Sequence, residues 1–355
     1  MHGLRLAMSR AGAVEMNFMT TTIEPKRAIM NGKPVFDVPA KSVLNMESGF
    51  RHKLLCDGPT FTAGSACAYS CCFCYVPDLM AKNPHWRKIQ GESGATEFEN
   101  VVIRRNGAVA ALRSALVGRH GPRYMGDDQE GRVVYASPLV DIAANMELLN
   151  ETADMCEQIL TLTRWHIRLL SKSTFLPKIA EQLELLNVGA RERVIYGVST
   201  GTLDDGIAKA FEQGTPLVTK RIQSLHWLQD NGFRTFGMLC PSLPIPGGDY
   251  TQMANEMASA IRADRCEHTW AEVINVRGDS MTRTVAALNA AGFHSHANEL
   301  AHVSGDAEAW EQYSRDTFEA HVPNYAPNKL RFLQYVTART KTFWQGREKD
   351  GAILL

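Results

Sequence analysis

The stretch TAGSACAYSCCFCY, residues 62–75, contains the densest group of cysteines in the chain. It holds four of the chain's eight cysteines, and Cys67, Cys71 and Cys74 are separated by three and then two residues. Soft thiolates select iron–sulfur clusters, zinc or Cu(I) over hard cations. In a long chain, such dense clustering of cysteines indicates metal binding before it indicates disulfides. The stretch therefore predicts a metal centre on one short loop.

The number of cysteine ligands limits the kind of metal centre. A [4Fe–4S] cluster usually has four cysteine ligands, so three on one loop leave one iron open to a small molecule. A structural zinc site is the alternative. Such a site has four protein ligands and no open position, and Cys72 or a nearby histidine could supply the fourth ligand. Cys72 could also replace Cys71 as a cluster ligand. We predict ligation by Cys67, Cys71 and Cys74, with Cys72 as a small buried side chain.

Composition bounds the class of protein. The chain has 355 residues, of which 45% are hydrophobic and 21% charged, an ordinary globular composition. Lys and Arg together number 38, and Asp and Glu together also number 38. The resulting zero net charge argues against a protein that binds polyanions through its overall charge. No apolar run approaches the roughly 20 residues that span a bilayer, and no signal-peptide pattern is visible. The predicted location is the cytoplasm.

Beyond the cysteines, residues 100–292 alternate short β-branched runs with amphipathic helical patterns. The predicted strands are Val133–Ala136, Ile167–Leu170, Val194–Val198, Thr235–Leu239 and Ala271–Asn275, with one more near Pro59–Ala63. The predicted helical stretches are Val102–Leu116, Met146–Thr161, Phe175–Leu186, Arg221–Asn231, Tyr250–Ile261 and Met281–Ala291. Strands separated by helices of this length pair in parallel through right-handed crossovers. About six such units predict an α/β fold, a partial (β/α)6 TIM-type barrel, with its chemistry at the carboxyl ends of the strands.

The flanking segments predict the domain organisation. We expect residues 1–55 to form an N-terminal extension, residues 56–295 the partial barrel, and residues 296–355 a helical C-terminal cap. The cap prediction rests on Asp306–Gln312 and Asn324–Gln345, which have helical, aromatic-rich patterns.

The cysteine spacing, with Tyr75 directly after the third cysteine and a strand just before the loop, resembles the radical S-adenosylmethionine (radical SAM) superfamily. Roughly residues 55–280 resemble its spore photoproduct lyase-like branch, through four segments that occur in order at predicted strand ends. These segments are Leu170–Ser173, Val198–Asp205, Glu212–Pro216 with Lys220 and Arg221, and Cys240–Pro246.

The resemblance implies a cofactor pair and a reaction. It implies a [4Fe–4S] cluster whose open iron binds S-adenosylmethionine (SAM), which is cleaved reductively to a 5′-deoxyadenosyl radical that abstracts hydrogen from a substrate. A flavodoxin or ferredoxin-type protein would supply the electron. The sequence does not identify the substrate, and nucleic acid ranks first by analogy alone. The alternative function is a non-catalytic interaction module that holds zinc or a structural iron–sulfur centre.

Four residues are candidates for holding SAM. Lys172 directly follows an apolar strand, and its compact charge suits the SAM carboxylate. Ser137 and Ser199, also at strand ends, are expected to donate to ribose or carboxylate oxygens, although both could instead cap the following helices. By the resemblance, Tyr75 is expected near the adenine.

Two further pairs follow from the same strand ends. Asn275 and Arg277 end the sixth predicted strand and are additional candidates for ribose or carboxylate contacts. Glu212 and Arg221 are expected to form a structural ion pair rather than to contact substrate.

The chain departs from the lesion-repairing lyases at the end of the second strand, where those enzymes have a cysteine that returns a hydrogen atom to the product radical. Here the segment Val134–Pro138 holds no cysteine, so repair of thymine photoproducts is not the favoured activity. Tyr135 and Cys240 are the candidate hydrogen donors, with packing as a small apolar side chain the alternative for Cys240. Residues 82–88 combine basic side chains with Trp86. They could track phosphates and stack a base, or form an exposed basic turn.

Overall fold

The computed structural model describes residues 25–30, 32–81, 83–93, 100–274, 279–333, 348–349 and 352–354. Within them the strands are β1 (Pro25–Met30), β2 (Lys33–Pro39), β3 (Leu44–Asn45), β4 (Thr60–Phe61), β5 (Gly64–Ala66), β6 (Val102–Asn106), β7 (Val117–Gly118), β8 (Gly121–Pro122), β9 (Val133–Ala136), β10 (His166–Ser171), β11 (Val194–Thr200), β12 (Arg234–Ser242), β13 (Thr269–Val273), β14 (Leu330–Leu333), β15 (Glu348–Lys349) and β16 (Ala352–Leu354). The α-helices are α1 (Val76–Met80), α2 (Pro84–Ser93), α3 (Ala108–Leu116), α4 (Met146–Leu162), α5 (Leu176–Leu186), α6 (Ala190–Arg193), α7 (Asp205–Phe211), α8 (Val218–Asp230), α9 (Tyr250–Ala260), α10 (Ser280–Ala290), α11 (His294–Gly305) and α12 (Ala307–His321).

The main sheet is built around a run of parallel strands. Among the described residues this run has the order β4, β9, β10, β11, β12, β13 and β14. Antiparallel strands extend both edges, β3 beside β4 and β16 with β15 beside β14. Every residue of β11 is buried, which is typical of a parallel strand covered on both faces. An α/β fold with parallel strands is thus confirmed, whereas its closure into a partial barrel stays a prediction.

Helix α4 shows why the predicted crossovers form. The Asn145 side chain accepts a hydrogen bond from the Leu148 amide and so satisfies one of the unpaired donors at the start of the helix. Leu148, Cys156 and Ile159 follow at helical spacing and are fully or almost fully buried. Burying each large aliphatic side chain contributes about 2 kcal/mol, which fixes this face of α4 against the sheet.

The structure corrects the predicted C-terminal cap. Helices α11 and α12 are present, as expected, but Leu330–Leu333 form β14 and not a helix. This strand pairs in parallel with β13, with Leu330 opposite Thr269 and Phe332 opposite Ala271. Leu330 and Phe332 are buried because alternate side chains of the strand face the core. Residues 334–345 of the predicted helical segment lie outside the described residues.

A second correction concerns Val102–Leu116, which the sequence analysis predicts as one helical stretch. Val102–Asn106 instead form strand β6, and α3 begins only at Ala108. Gly107 separates the two elements with a φ of 79°, a left-handed conformation that glycine adopts without steric cost.

A smaller sheet joins the N-terminal segment to the cysteine loop. Its strand order is β1, β2, β6 and β5, and β5 ends one residue before Cys67. Trp86 of α2 packs into the core of this unit and is 4% exposed, so the interpretation of Trp86 as a base-stacking side chain is wrong. Lys82 and the side chain of His85 lie outside the described residues. The predicted domain boundaries at residues 55 and 295 stay a prediction.

None of the described helices has both the length and the apolar character that a bilayer-crossing segment needs.

Candidate functional site

A cavity of about 190 Å³ lies where the cysteine loop meets the carboxyl ends of β9, β10 and β11. It is lined by residues that the sequence analysis singled out together with their neighbours. They include Cys67, Cys71, Cys74, Tyr75, Tyr135, Ser137, Asp141, Lys172 and Ser199. We call this space the cysteine cavity. Parallel strands bring their carboxyl ends to one edge of a sheet, which explains why residues so distant in sequence meet here.

The cysteine loop, residues 67–75, is held from several directions. The Lys33 ammonium donates to the Ser70 hydroxyl, and the Gly214 amide donates to the Tyr69 carbonyl over 2.9 Å. The Cys72 amide donates to the Phe211 carbonyl, also over 2.9 Å. A Cβ at Gly214 would lie 2.6 Å from the Tyr69 carbonyl oxygen, so only glycine allows this close approach. The loop therefore depends on the segment between α7 and α8 for its position.

The three predicted ligand sulfurs share the cavity. Cys67, Cys71 and Cys74 line it, whereas Cys72 is not among the lining residues. Burial, with a contribution from the nearby Asp141 carboxylate, raises the pKa of the Cys67 thiol to about 12. Burial and the Glu212 carboxylate raise the pKa of Cys71 well above its usual value. These thiols are protonated at neutral pH, and a bound metal would displace their protons because thiolates are the ligating form.

The donor set fits an iron–sulfur cluster, since soft sulfur donors face one cavity. A structural zinc would instead need four donors at about 2.0–2.3 Å from a single point. Within the described part of the chain, no group of three or more His, Cys, Asp and Glu side chains is arranged to hold a single metal ion. The identity of the ligands stays a prediction.

Lys172 lies at the end of β10 in a buried charge network. Its ammonium is 2.6 Å from Glu212 Oε1 and 3.1 Å from Ser199 Oγ, and it lies over the Phe73 ring. Glu212 Oε2 is 2.5 Å from Arg221 Nη2, an ionic contact without an aligned hydrogen bond. The Glu212 and Arg221 side chains are 1% and 0% exposed. The predicted Glu212–Arg221 ion pair is present, and it also includes Lys172, so two cations share one carboxylate.

Asp141 is a site residue that the sequence analysis missed. Its carboxylate accepts hydrogen bonds from Ser171 Oγ and the Lys172 amide, both at 2.6 Å, and from the Ala143 amide at 3.0 Å. Burial raises the pKa of Asp141 above the ordinary aspartate value. These bonds tie the segment after β9 to the end of β10 beside Cys67. A single aspartate in a loop carries no motif, so only its position in the fold identifies it.

The hydroxyl groups predicted to contact SAM have partners within the protein. Ser137 donates to Thr62 Oγ1 over 2.6 Å, Ser199 donates to the Cys240 carbonyl over 3.1 Å, and the Tyr75 hydroxyl donates to the Pro138 carbonyl. The alternative role of the serines as helix caps is wrong. Asn145 caps α4, and Asp204 caps α7.

A second cavity of about 300 Å³ shares Phe73 and Tyr75 with the cysteine cavity. Its remaining lining includes Phe50, Lys53, Leu79, Cys240, Pro241, Glu272 and Val273. We call it the aromatic cavity. Cys240 Sγ donates to Glu272 Oε2 over 3.1 Å, and Lys53 pairs with Glu272 Oε1 at 2.9 Å. Burial and the Glu272 carboxylate raise the pKa of Cys240, so this thiol keeps its hydrogen.

Of the remaining predicted residues, Tyr135 is 5% exposed and packs against Phe50 with ring centroids 5.3 Å apart. It also lines the cysteine cavity. Asn275 and Arg277 lie outside the described residues.

Comparisons with known proteins give matches among solved structures alone. No protein-family model matches the chain, and no curated protein matches it. Spore photoproduct lyase complexed with dinucleoside spore photoproduct is similar at 12% identity with a TM-score of 0.49, over 72% of this chain and 66% of the lyase chain. A mutant of that lyase with bound AdoMet and dinucleoside spore photoproduct is similar at 13% identity with a TM-score of 0.44, over 65% and 61% of the two chains. This chain therefore matches just under two thirds of the lyase's length.

Replacing Glu212 by glutamine tests the charge network. Glu212→Gln leaves Lys172 and Arg221 without their counter-charge, so we expect the free energy of unfolding to fall by about 3–5 kcal/mol. Urea unfolding under anaerobic conditions measures it. Glu311→Gln, which removes a partly exposed pair with Arg315, is the control and should cost less than about 1 kcal/mol. Equal stability of the two variants would contradict the network.

Proposed function

We propose that this chain is a radical SAM enzyme that holds a [4Fe–4S] cluster on Cys67, Cys71 and Cys74 and SAM beside it. One observation carries the proposal: three of the four clustered cysteines open into one cavity that also holds a half-buried lysine and strand-end hydroxyls. Three sulfur ligands suit a cluster with one open iron. When bound, the pair supplies reductive cleavage of SAM to an adenosyl radical that takes hydrogen from a C–H bond.

Lys172 is the residue that we assign to the SAM carboxylate. Its ammonium faces the cavity while Glu212 holds it from behind. Arg221 supplies a second positive charge to the same carboxylate, so the side chains of Lys172, Glu212 and Arg221 together carry one positive charge in excess. Lys172 would therefore stabilise a negatively charged group in the cavity, and Glu212 would still have Arg221 as its counter-charge.

The other assigned contacts surround the same space. Ser199 accepts from Lys172 and donates to the Cys240 carbonyl, so its hydroxyl is oriented by two partners. Ser137 and Ser199 are assigned to polar oxygens of SAM, and Tyr75 to one face of the adenine. Asn275 and Arg277 stay candidates for the ribose or carboxylate.

The aromatic cavity is the place that we assign to the substrate. It shares two side chains with the cysteine cavity, so a substrate there lies next to the reacting centre. Phe50, Phe73, Tyr75 and Val273 give the cavity apolar walls beside the Lys53–Glu272 pair, and such walls would limit the contact of water with a radical. Cys240 in this cavity and Tyr135 in the other are the candidate hydrogen donors. The substrate is a nucleic-acid base, a peptide or a small metabolite, with nucleic acid ranked first by analogy.

An electron must reach the cluster from outside the chain. We assign this role to a flavodoxin or ferredoxin-type protein in the cytoplasm.

Single cysteine variants test the ligand assignment. Cys67→Ala, Cys71→Ala and Cys74→Ala should each lose the cluster, whereas Cys72→Ala should keep about four irons and four sulfides per chain. Iron, sulfide and zinc analysis of anaerobically reconstituted protein measures this. Loss of the cluster in Cys72→Ala with retention in Cys71→Ala would show that the ligand assignment is wrong. A colourless wild-type protein with one tightly held zinc would instead support the interaction module.

Lys172→Ala tests the SAM contact. Glu212 keeps Arg221 as its partner, so we expect the fold and the cluster to survive while SAM binds at least about tenfold more weakly. Calorimetric titration of reconstituted protein with SAM measures the affinity. The control is Lys178→Ala, which removes an exposed lysine over the Phe175 ring. If both variants bind SAM as tightly as wild type, Lys172 has no part in the site.

The hydrogen donors are tested by isotope transfer in D₂O, where S–H and O–H groups exchange for deuterium. With SAM and dithionite but no substrate, a donor within reach of the radical passes deuterium into 5′-deoxyadenosine. We expect Cys240→Ser or Tyr135→Phe to lower that deuterium content severalfold, as measured by mass spectrometry. Cys266→Ser is the control, since this thiol bonds the Ile261 carbonyl away from both cavities. Unchanged deuterium content in both test variants excludes both donors.

A further inference from the structure

Two neighbouring arginines of β6 have opposite electrostatic surroundings. Arg104 and Arg105 point to opposite faces of the strand, because successive side chains alternate. Arg104 pairs with two carboxylates of α4, contacting Glu147 and lying 3.3 Å from Glu151. Arg105 pairs with no carboxylate among the described residues. Among the described residues, Arg104 thus has two acidic partners and Arg105 has none.

Arg105 is half-buried, which makes an unmatched charge costly. Its Nε donates to Ser65 Oγ over 3.1 Å, and its Nη1 donates to the Ser42 carbonyl. These two bonds hold the guanidinium in one orientation, and Nη2 has no partner in the described part of the chain. Burial lowers the pKa of Arg105, and no acidic group of the described residues offsets this shift. Buried charges in proteins are normally paired or bind a counter-ion.

The guanidinium faces a cavity of about 220 Å³ outside the site described above. Besides Arg105 its polar lining consists of Lys41, Ser42, Ser65 and Asn83. Lys41 forms no ion pair or hydrogen bond within the described residues. As far as the described residues form it, the lining therefore presents two cations, two hydroxyls and an amide, and no carboxylate. Such a set of donors is complementary to a small oxyanion with several acceptor oxygens.

We propose that this cavity is a binding site for a phosphate group, with Arg105 and Lys41 as its two cationic contacts. The arginine supplies an oriented donor at Nη2, and the lysine a mobile point charge. Ser65 Oγ, which accepts from Arg105 Nε, lies in the same lining and can donate its hydrogen to a further phosphate oxygen, whereas Ser42 Oγ donates to the Leu44 carbonyl. The volume leaves room for an ester group attached to the phosphate, so the source is either free phosphate or a phosphoryl group of a larger molecule.

The position of the site relates it to the aromatic cavity. Helix α1 contributes Leu79 to the aromatic cavity and the next residue, Met80, to the phosphate site. Ser65 precedes the first cysteine of the loop by two residues. A phosphoryl group bound here would lie on the other side of one short helix from the proposed substrate position. The proposal does not depend on the cluster, because none of its residues belongs to the cysteine cavity.

Binding of inorganic phosphate to the full-length protein tests the site. We expect saturable binding in ³¹P line-broadening or calorimetric titrations, and at least about tenfold weaker binding in Lys41→Ala and Arg105→Gln. Arg105→Lys keeps the charge but loses the forked donor, so its affinity should fall between those of wild type and Arg105→Gln. Arg119→Gln removes an exposed arginine elsewhere and should bind phosphate like wild type. Circular dichroism and thermal unfolding confirm that each variant is folded.

The two sources of phosphate are separated by competition. A single-stranded DNA of about ten nucleotides that displaces phosphate at lower concentration, and does so only when Lys41 and Arg105 are present, identifies a nucleic-acid backbone as the source. An oligonucleotide that competes no better than phosphate identifies free phosphate or a small phosphate ester. Absence of saturable binding up to about 20 mM phosphate, or equal affinity in wild type and both charge variants, overturns the proposal.

Discussion

The candidate site depends on one buried carboxylate shared by two cations. Glu212 ends α7, and its oxygens contact Lys172 at the end of β10 and Arg221 in α8. Arg221 in turn donates to the Ser199 carbonyl at the end of β11, over 3.2 Å. Removing three charges from water costs several kcal/mol for each, and only close pairing with good geometry offsets that cost. The positions of two strand ends and one helix are therefore coupled.

The same segment of chain holds the cysteine loop. Phe211 and Gly214, on either side of Glu212, bond the backbone of Cys72 and Tyr69. The segment around Glu212 therefore positions both the cysteine loop and Lys172. A site needs such fixed positions if a cluster and its small-molecule ligand are to meet in one geometry. In the proposed function, the substrate lies one layer of side chains away from the cysteine loop, on the other side of the aromatic residues that the two cavities share.

Local charge in this protein differs from what its neutral composition suggests. Positive and negative residues are equal in number, yet their placement leaves Lys172 and Arg221 with one carboxylate between them and Arg105 with none among the described residues. Net charge governs long-range attraction, whereas recognition of a single anionic group depends on donors within a few ångströms. A neutral chain can therefore still carry sites for a carboxylate and for a phosphate.

The series of parallel strands and the three-cysteine loop were determined by the sequence, because apolar periodicity and residue spacing are local properties. All six predicted strands of the main sheet are present within a few residues of their expected bounds. Strand β14 and the β6–α3 boundary were missed, since short strands form through pairing with partners that lie far away in sequence. The positions of Asp141 and Arg105 in their cavities, and the contact of Glu212 with Lys172, likewise came only from the tertiary structure. A lone acidic or basic side chain has no sequence signal of its own, and its role is set by which charges folding places beside it.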